Sequence, residues 1–231
     1  MVNNAEEIYQ KIAEKYDFLN HFFSVYIDVL WRKKLLRLIL PEEGDRVLDV
    51  CTGTGDIAIE IKAKANSKVV GLDISEEMLK VARKKLQERR LDIPLIIGDA
   101  LKMPVKNSTF DVVTIGFGLR NLPDYDKGLD EMARVLKNGG RIFILEFAPP
   151  RKNILGFLYW IYLRYIMPFI GGIIAGVKED YKELAVSIKN FLTPEDMEKL
   201  LRRHGFRNVK SSMLSFGIAY IYTGELTRDG K

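Results

Sequence analysis

The stretch VLDVCTGTGD holds the residues with the clearest chemical potential in this chain of 231 residues. Gly53 and Gly55 follow a strand-like apolar run and precede a helical pattern, so they leave bare backbone beside a helix N-terminus. Asp49 ends the predicted strand, and Asp56 opens the predicted helix. The pattern from Gly53 to Ala58 also satisfies the relaxed dinucleotide fingerprint, so an oxidoreductase with a nicotinamide or flavin cofactor is one interpretation.

The acidic residues around this loop favour a different ligand. Asp49 and Asp56 would repel a pyrophosphate, but they suit a cationic ligand such as S-adenosylmethionine (SAM), which carries a sulfonium and an ammonium group. Asp73 ends the second predicted strand and can accept hydrogen bonds from both ribose hydroxyls. Asp99 ends the third and can accept from the adenine amino group, with Ala100 beside the ring. Since open α/β sheets bind ligands at the carboxyl ends of their strands, we predict a SAM site there.

Apolar runs separated by helical patterns predict the elements that position these residues. Five strand-like runs precede residue 150: residues 46–51, 68–73, 94–99, 110–117 and 141–149. Runs buried on both faces and joined by helices indicate a parallel sheet with helices on both sides. The pattern predicts a helix over residues 127–136 and another that begins at Thr193. Residues 207–212 and 215–223 lie too close together for a crossover helix, so we expect an antiparallel hairpin.

Composition excludes several classes of protein. An apolar fraction of 47% argues against disorder, and a single cysteine, Cys51, fits a reducing compartment. The N-terminal sequence has no secretory pattern, so we expect a cytoplasmic protein. Two histidines and one cysteine predict no metal site. The net charge of +5 is not accompanied by a basic patch interleaved with aromatic residues, so we expect no nucleic-acid partner.

Residues 40–150 resemble the class I SAM-dependent methyltransferases. The resemblance rests on D-x-x-x-G-x-G, an acid at the end of the second strand, G-D-A and F-D-V-V. It implies a Rossmann-like α/β fold, with a seven-stranded, mostly parallel sheet whose last strand is antiparallel.

Further motifs resemble a narrower family, the ubiquinone/menaquinone biosynthesis C-methyltransferases. They are YDFLNHFFS followed by LWRK, then GFGLRNLPD, ILEFAPP and YKELAVSIKNF. This resemblance implies that SAM methylates a ring carbon of a polyprenylated naphthoquinol or benzoquinol, which leaves S-adenosylhomocysteine as the product. A methyltransferase for another lipidic substrate, such as a sterol or a phospholipid, is the alternative within the same fold.

The family's cofactor contacts correspond here to Thr54, Asp73, Asp99, Ala100 and Gly116. They add to Asp49, Gly53 and Gly55 from the loop pattern. The chain departs from the family twice, since asparagine is common in place of Asp99 and serine in place of Gly116. An aspartate can still accept from the adenine amino group, whereas Gly116 offers backbone contacts alone.

The proposed reaction needs a base, or a cation that stabilises the phenolate, because a phenol with a pKa of ~10 is protonated at neutral pH. Arg120 is the predicted catalytic residue for this role, with Asn121 as a hydrogen-bond partner. A salt bridge that secures the loop is the alternative role for Arg120. Tyr16, Asp17 and Tyr181 are further predicted substrate-pocket residues.

Residues 154–177 form an apolar run with one charge, Arg164, and the run is long enough to suggest a membrane span. A span would place the C-terminal strands on the opposite side of the bilayer from the rest of their sheet, which hydrogen bonding forbids. Arg164, Pro168 and Gly171-Gly172 should also break the run into short pieces. We instead expect a lid over the substrate with an apolar helical face and Trp160 as an interfacial anchor. The residues of that face are Leu155, Leu158, Tyr159, Tyr162 and Ile166.

These expectations give a single methyltransferase domain with four parts. Residues 1–40 form an N-terminal helical cap, 41–150 the cofactor-binding core, 151–192 the apolar lid, and 193–231 the C-terminal helix and hairpin. A lid for a polyprenyl quinol also implies transient contact with the membrane surface, at its inner face. A homodimer through the aromatic-rich lid is a further expectation.

Overall fold

The described residues form one seven-stranded sheet with the strand order β3-β2-β1-β4-β5-β7-β6. A computed structural model of the chain describes residue 24, residues 26–175 and residues 178–228. The strands β1 to β5 pair in parallel, β7 is antiparallel to β5, and β6 is antiparallel to β7. This arrangement confirms the predicted fold and the C-terminal hairpin. The strand bounds are Arg46–Val50 (β1), Lys68–Asp73 (β2), Leu95–Ile97 (β3), Phe110–Gly116 (β4), Leu136–Phe147 (β5), Phe206–Leu214 (β6) and Ala219–Leu226 (β7).

The strand order reverses between β1 and β4. Val47 of β1 is paired with Val69 of β2 on one side and with Val112 of β4 on the other. The chain therefore winds outward from β1 in both directions, and the loops after β1 and β4 diverge. At such a reversal, a crevice opens at the carboxyl ends of the strands.

Local sequence signals set the helix boundaries. The helices are Ile27–Ile39 (α1), Asp56–Lys64 (α2), Glu76–Arg89 (α3), Tyr125–Val135 (α4), Ile154–Ile161 (α5), Met167–Ala175 (α6), Lys178–Asn190 (α7) and Pro194–Arg203 (α8). The Ser75 Oγ accepts from the Met78 amide at 3.3 Å and so caps α3. Thr193 caps α8 in the same way, with Pro194 at its first position. Helix α4 ends one residue before the predicted end because Leu136 already pairs with Phe110.

The core lies on both faces of the sheet. Successive strand residues face opposite sides, so Ile144 packs on one face and Leu145 on the other. Helices α4 and α8 cover the first face, and α1 and α2 cover the second. Burying one such aliphatic side chain stabilises the fold by roughly 1.5–3 kcal/mol. The sheet is therefore a rigid support for the loops at its edge.

The described part of the lid, within residues 151–192, follows β5 and contains α5, a π-helical turn at Tyr162–Ile166, α6 and α7. Its own small core contains Leu163, Met167, Tyr181, Ala185 and Ile188. Helix α7 also contacts the 3₁₀ turn Leu119–Asn121 after β4. The lid therefore packs against the turn that carries the predicted catalytic residue.

The apolar run is divided into short pieces as expected: α5, the π-helical turn and α6 have 8, 5 and 9 residues. The predicted break at Gly171-Gly172 was wrong, because α6 continues through both glycines. Leu155 and Leu158, on the predicted apolar face, are 53% and 55% exposed. Among the residues that the structure describes, no helix has the length and hydropathy that a bilayer span requires.

Candidate functional site

The loop between β1 and α2 turns through three residues in the left-handed region. Cys51, Gly53 and Gly55 have φ angles of 52°, 56° and 85°. Glycine adopts this conformation without strain, which explains two of the three positions. A Cβ on Gly55 would lie 3.3 Å from the Cβ of Ala82, so α3 packs closely against the loop. The loop thus presents backbone rather than side chains at the crevice beside β1.

Asp49 lies buried beneath this loop and joins four elements. Its carboxylate accepts hydrogen bonds from Thr52 Oγ1 at 2.7 Å and Thr114 Oγ1 at 2.6 Å. It also accepts from the Ala58 amide in the first turn of α2. Burial raises the pKa of Asp49 to about 6, although these three hydrogen bonds oppose that rise. The predicted cofactor contact is therefore also the residue that holds β1, β4, the loop and α2 in register.

Asp73 connects the end of β2 to the same loop. Its Oδ2 accepts from the Gly53 amide at 2.7 Å, and its Oδ1 accepts from the Ser75 amide at 2.9 Å. Two backbone donors therefore fix the orientation of the carboxylate. A carboxylate fixed in this way can accept from both hydroxyls of a ribose, because each oxygen has more than one acceptor position.

Asp99 follows β3 and is exposed, whereas Ala100 beside it is buried. The Asp99 Oδ1 accepts from the Leu101 amide at 2.8 Å, and its carbonyl accepts from the Lys102 amide at 3.0 Å. These bonds form a tight turn that holds the carboxylate at the edge of the sheet. The position agrees with the predicted adenine contact, which stays a prediction.

The acidic residues at the strand ends surround one point. Burial raises the pKa of the Cys51 thiol, and four carboxylates add to that rise: Asp73, Asp49, Glu146 and Asp99. Since Arg120 compensates Glu146, the negative potential after β1 comes mainly from the aspartates, and a cationic sulfonium would be stabilised there.

The interpretation of Asp56 and Thr54 changes. Lys85 Nζ lies 2.7 Å from Asp56 Oδ1, and an Arg32 guanidinium nitrogen lies 3.4 Å from Oδ2. Asp56 is thus compensated by two cations and adds little to the repulsion of a pyrophosphate. The same Lys85 donates to Thr54 Oγ1 at 2.9 Å, so the buried Thr54 side chain is engaged within the protein. The sequence could not show these contacts, because Lys85 lies about thirty positions further along the chain.

Gly116 ends β4 and is closely packed. A Cβ on Gly116 would lie 2.3 Å from Ile57 Cδ1, which is far inside van der Waals contact. Ile57 comes from the first turn of α2 and is buried. The glycine that replaces the family's serine is therefore matched by an isoleucine that fills the same space.

Arg120 lies in the 3₁₀ turn after β4 and is paired with Glu146 of β5. The Arg120 Nη1 donates to Glu146 Oε1 at 2.8 Å and also to the Phe117 carbonyl. The Arg120 backbone amide donates to Glu146 Oε2 at 3.2 Å. Both side chains are almost fully buried, and the guanidinium lies 5.4 Å from the centre of the Phe147 ring. This is the salt bridge that the sequence left open as an alternative, and it does not test the catalytic role.

The other predicted pocket residues lie in different parts of the chain, and two of them are outside the described residues. Asn121 Nδ2 donates to the Phe117 carbonyl at 3.4 Å, in the same turn as Arg120. Tyr181 is buried in the small core of the lid. Tyr16 and Asp17 lie outside the described residues.

Sequence reasoning did not predict the surroundings of two residues in this region. Glu146 was visible in the ILEFAPP motif, but the chain gave no sign that it would pair with Arg120. Tyr159, predicted only as part of the apolar lid face, has a hydroxyl buried from solvent, without a hydrogen-bond partner among the described residues. Burial raises its pKa, and the charges of Arg120 and Glu146 both act on it. The closeness of Tyr159 to Arg120 and Glu146 follows from the packing of the lid against Phe147 of β5, which the sequence does not show.

Comparison with known proteins assigns the arrangement to a family. The model of the ubiE/COQ5 methyltransferase family matches residues 2–225. The demethylmenaquinone methyltransferase of Thermus thermophilus is 40% identical over 94% of this chain and 99% of its own length. That of Thermotoga maritima is 41% identical over 96% of each chain. The crystal structure of a SAM-dependent methyltransferase from Thermotoga maritima has the same fold, with a TM-score of 0.66 at 24% identity, and covers 95% of this chain and 98% of that one.

Proposed function

The chain belongs to the ubiE/COQ5 methyltransferase family, and we propose that it transfers a methyl group from SAM to a ring carbon of demethylmenaquinol. It is a SAM-dependent C-methyltransferase. The observation that carries the substrate class is the match to demethylmenaquinone methyltransferases over nearly the full length of both proteins. The family assignment removes the oxidoreductase interpretation of the glycine pattern.

The residues at the strand ends fit SAM. The loop at Gly53 and Gly55 offers backbone at the start of α2, which suits the carboxylate of the methionyl group. The carboxylates around Cys51 suit the sulfonium and the ammonium groups. Asp73, fixed by two backbone amides, suits the ribose hydroxyls. SAM supplies the methyl group when bound.

Methyl transfer to carbon requires the quinol ring to be electron-rich and correctly placed. A new carbon–carbon bond forms while the sulfur–methyl bond breaks, and the ring carbon then loses its proton to restore the aromatic ring. Loss of the proton from the neighbouring hydroxyl makes the carbon nucleophilic. The enzyme's main contribution is to hold the carbon in line with the methyl group.

We propose Arg120 as the group that stabilises the developing phenolate, with Asn121 beside it. Glu146 and the Phe117 carbonyl fix the guanidinium, so little reorganisation is needed when charge develops. The buried ion pair leaves the turn neutral overall, and the remaining guanidinium donors supply directed hydrogen bonds.

The substrate class is tested by methyl incorporation from labelled SAM into detergent-dispersed quinols. We expect kcat/KM for demethylmenaquinol to exceed that for a prenylated benzoquinol without the naphthalene ring. A preference for the benzoquinol would contradict the assignment, and activity on a sterol or a phospholipid alone would move the protein to another substrate class.

We also propose that the lid contacts the membrane surface and admits the polyprenyl tail. Large apolar side chains on the lid face outward: Ile154, Leu155, Phe157, Leu158, Tyr165 and Phe169 are between 53% and 79% exposed. Such a cluster marks a membrane or protein interaction surface. A membrane is favoured because a polyprenyl quinol is dissolved in it, and a second copy of this chain is the alternative.

Flotation with liposomes separates these two occupants of the lid face. Phe157→Ser should reduce flotation, whereas Leu40→Ser, at an exposed position on the other side of the fold, should not. Sedimentation shows whether either change alters the oligomeric state. Unchanged flotation with a shift from dimer to monomer would favour the second copy over the membrane.

A further inference from the structure

An open groove of about 660 Å³ lies where β5 leads into the lid. Its walls combine prolines, basic side chains and exposed apolar residues: Pro149, Pro150, Arg151, Lys152, Ile154, Phe157, Trp160 and Lys189. No acidic side chain lines it in the described part of the chain. The groove is separate from the crevice after β1 and β4.

The basic residues of the groove have no anionic partner in the described part of the chain. Arg151, Lys152 and Lys189 are exposed, and within the described residues none of them forms an ion pair. Arg151 approaches Met213 Sδ at 3.6 Å, and Lys189 Nζ lies 4.7 Å from the centre of the Trp160 ring. Elsewhere, exposed lysines such as Lys80 lie beside a carboxylate. Three unpaired cations around one groove therefore produce a local positive potential.

The apolar residues of the groove belong to the exposed face of α5. Ile154 and Phe157 are 79% and 61% exposed and belong to the same lining as the cations. If the phosphate of a lipid bound between the cations, the acyl chains of that lipid would lie against these side chains. Basic residues beside exposed aliphatic and aromatic residues are typical of segments at a membrane interface.

We propose that this groove binds the phosphate of an anionic phospholipid headgroup. The inference rests on the proposed membrane contact and adds a charge preference to it. An anionic headgroup complements all three cations, whereas a zwitterionic headgroup brings a positive group with its phosphate. The interaction would hold the lid against the leaflet in which the quinol is dissolved.

The test compares flotation of the full-length protein with vesicles of phosphatidylcholine and with vesicles that also contain phosphatidylglycerol. We expect stronger binding to the anionic vesicles, and a loss on the order of tenfold or more for the double variant Lys152→Glu and Lys189→Glu. Lys127→Glu with Lys199→Glu is the matched control, since both lysines are exposed on α4 and α8 and the net charge changes equally.

Three results would overturn the proposal. They are equal binding to both vesicles, equal loss in the control variant, or loss of binding to the anionic vesicles when soluble inorganic phosphate occupies the groove. Methylation of a detergent-dispersed quinol is measured in parallel. It reports on the proposed function without any bilayer, so failure of the headgroup site and failure of the reaction are distinguishable.

A second inference comes from the hydroxyl of Tyr159, which is buried and has no hydrogen-bond partner among the described residues. A buried hydroxyl without a partner destabilises a protein, so its retention needs an explanation, and a bound ligand that accepts its hydrogen bond is one. The ring of Tyr159 packs on the same lid cluster as Phe147, whose face carries the Arg120 guanidinium. We infer, on the basis of the proposed function, that Tyr159 donates a hydrogen bond to a ring oxygen of the quinol.

Tyr222 provides a matched control for Tyr159. It is also a buried tyrosine with an unpaired hydroxyl, but it lies on β7 within the sheet core. Tyr159→Phe should lower kcat/KM for the quinol about tenfold, with unchanged SAM affinity and with a thermal stability equal to or above that of the wild type. Tyr222→Phe should leave kcat/KM unaltered. Wild-type turnover in Tyr159→Phe, or an equal loss in both variants, would overturn the inference, whereas an inactive wild-type enzyme would overturn the proposed function itself.

Discussion

Asp49 is a single carboxylate on which the geometry of the cofactor loop depends. It accepts from Thr52, Thr114 and the Ala58 amide while it is removed from solvent. The three donors favour the charged form, but burial has the larger effect and raises the pKa to about 6. The charge that would attract a cationic ligand is thus retained at a cost in stability.

This cost predicts a pH dependence of stability. Because the pKa of Asp49 rises from 3.8 to about 6 on folding, the native state binds more protons than the unfolded state between these values. The contribution of Asp49 therefore destabilises the fold as pH rises from about 4 to about 6, by about 3 kcal/mol in total. Urea unfolding of the apoprotein at pH 5 and pH 8 should show about 1.4 kcal/mol of this loss in the wild type, because the rest of the loss occurs below pH 5. Asp49→Asn should lack it, and equal pH dependence in both proteins would contradict the argument.

Arg120 and Glu146 must be tested as a pair. Arg120→Ala removes the guanidinium but leaves a buried carboxylate without its cation, which destabilises a protein by several kcal/mol. Turnover should fall about a hundredfold or more, with SAM affinity retained. Glu146→Gln is the control, because it keeps an acceptor for Arg120 and removes the charge alone. It should retain far more activity than Arg120→Ala, and near-normal turnover in Arg120→Ala would refute the catalytic role.

At the scale of elements, the packing of α2 on β4 explains a departure from the family pattern. If no atom moved, Gly116→Ser would place a Cβ 2.3 Å from Ile57 Cδ1, so one of the two side chains must move. We expect a loss of roughly 1–3 kcal/mol in the free energy of unfolding. Ile57→Val deletes that terminal methyl group, and the double variant should recover part of the loss in a double-mutant cycle. Strictly additive effects would show that the two positions are independent.

The elements also show what the sequence could and could not predict. Strands, loop glycines and strand-end acids follow from local patterns, because burial on both faces and helix caps leave a signature in neighbouring residues. The exposure of Leu155 and Leu158 could not be predicted, since an apolar helix looks the same whether it packs inward or outward. Pairing of Asp56 with Lys85, and of Arg120 with Glu146, depends on contacts between distant parts of the chain.

At the scale of the whole molecule, charge is divided between two regions. Carboxylates gather at the carboxyl ends of β1, β2, β3 and β5, near Cys51. Cations without an ion-pair partner among the described residues gather at the groove beside α5, next to exposed apolar side chains. A cationic cofactor and an anionic surface are therefore complementary to different parts of the same fold.

The central claim is tested most directly by locating the transferred methyl group. The enzyme is incubated with demethylmenaquinol and SAM that carries a deuterated methyl group, and the product is fragmented by mass spectrometry. The account predicts one labelled methyl group on a carbon of the quinone ring, formed by the wild type and greatly reduced in Asp73→Ala. A label on a ring oxygen or on the prenyl chain, or no transfer to the naphthoquinol at all, would contradict it.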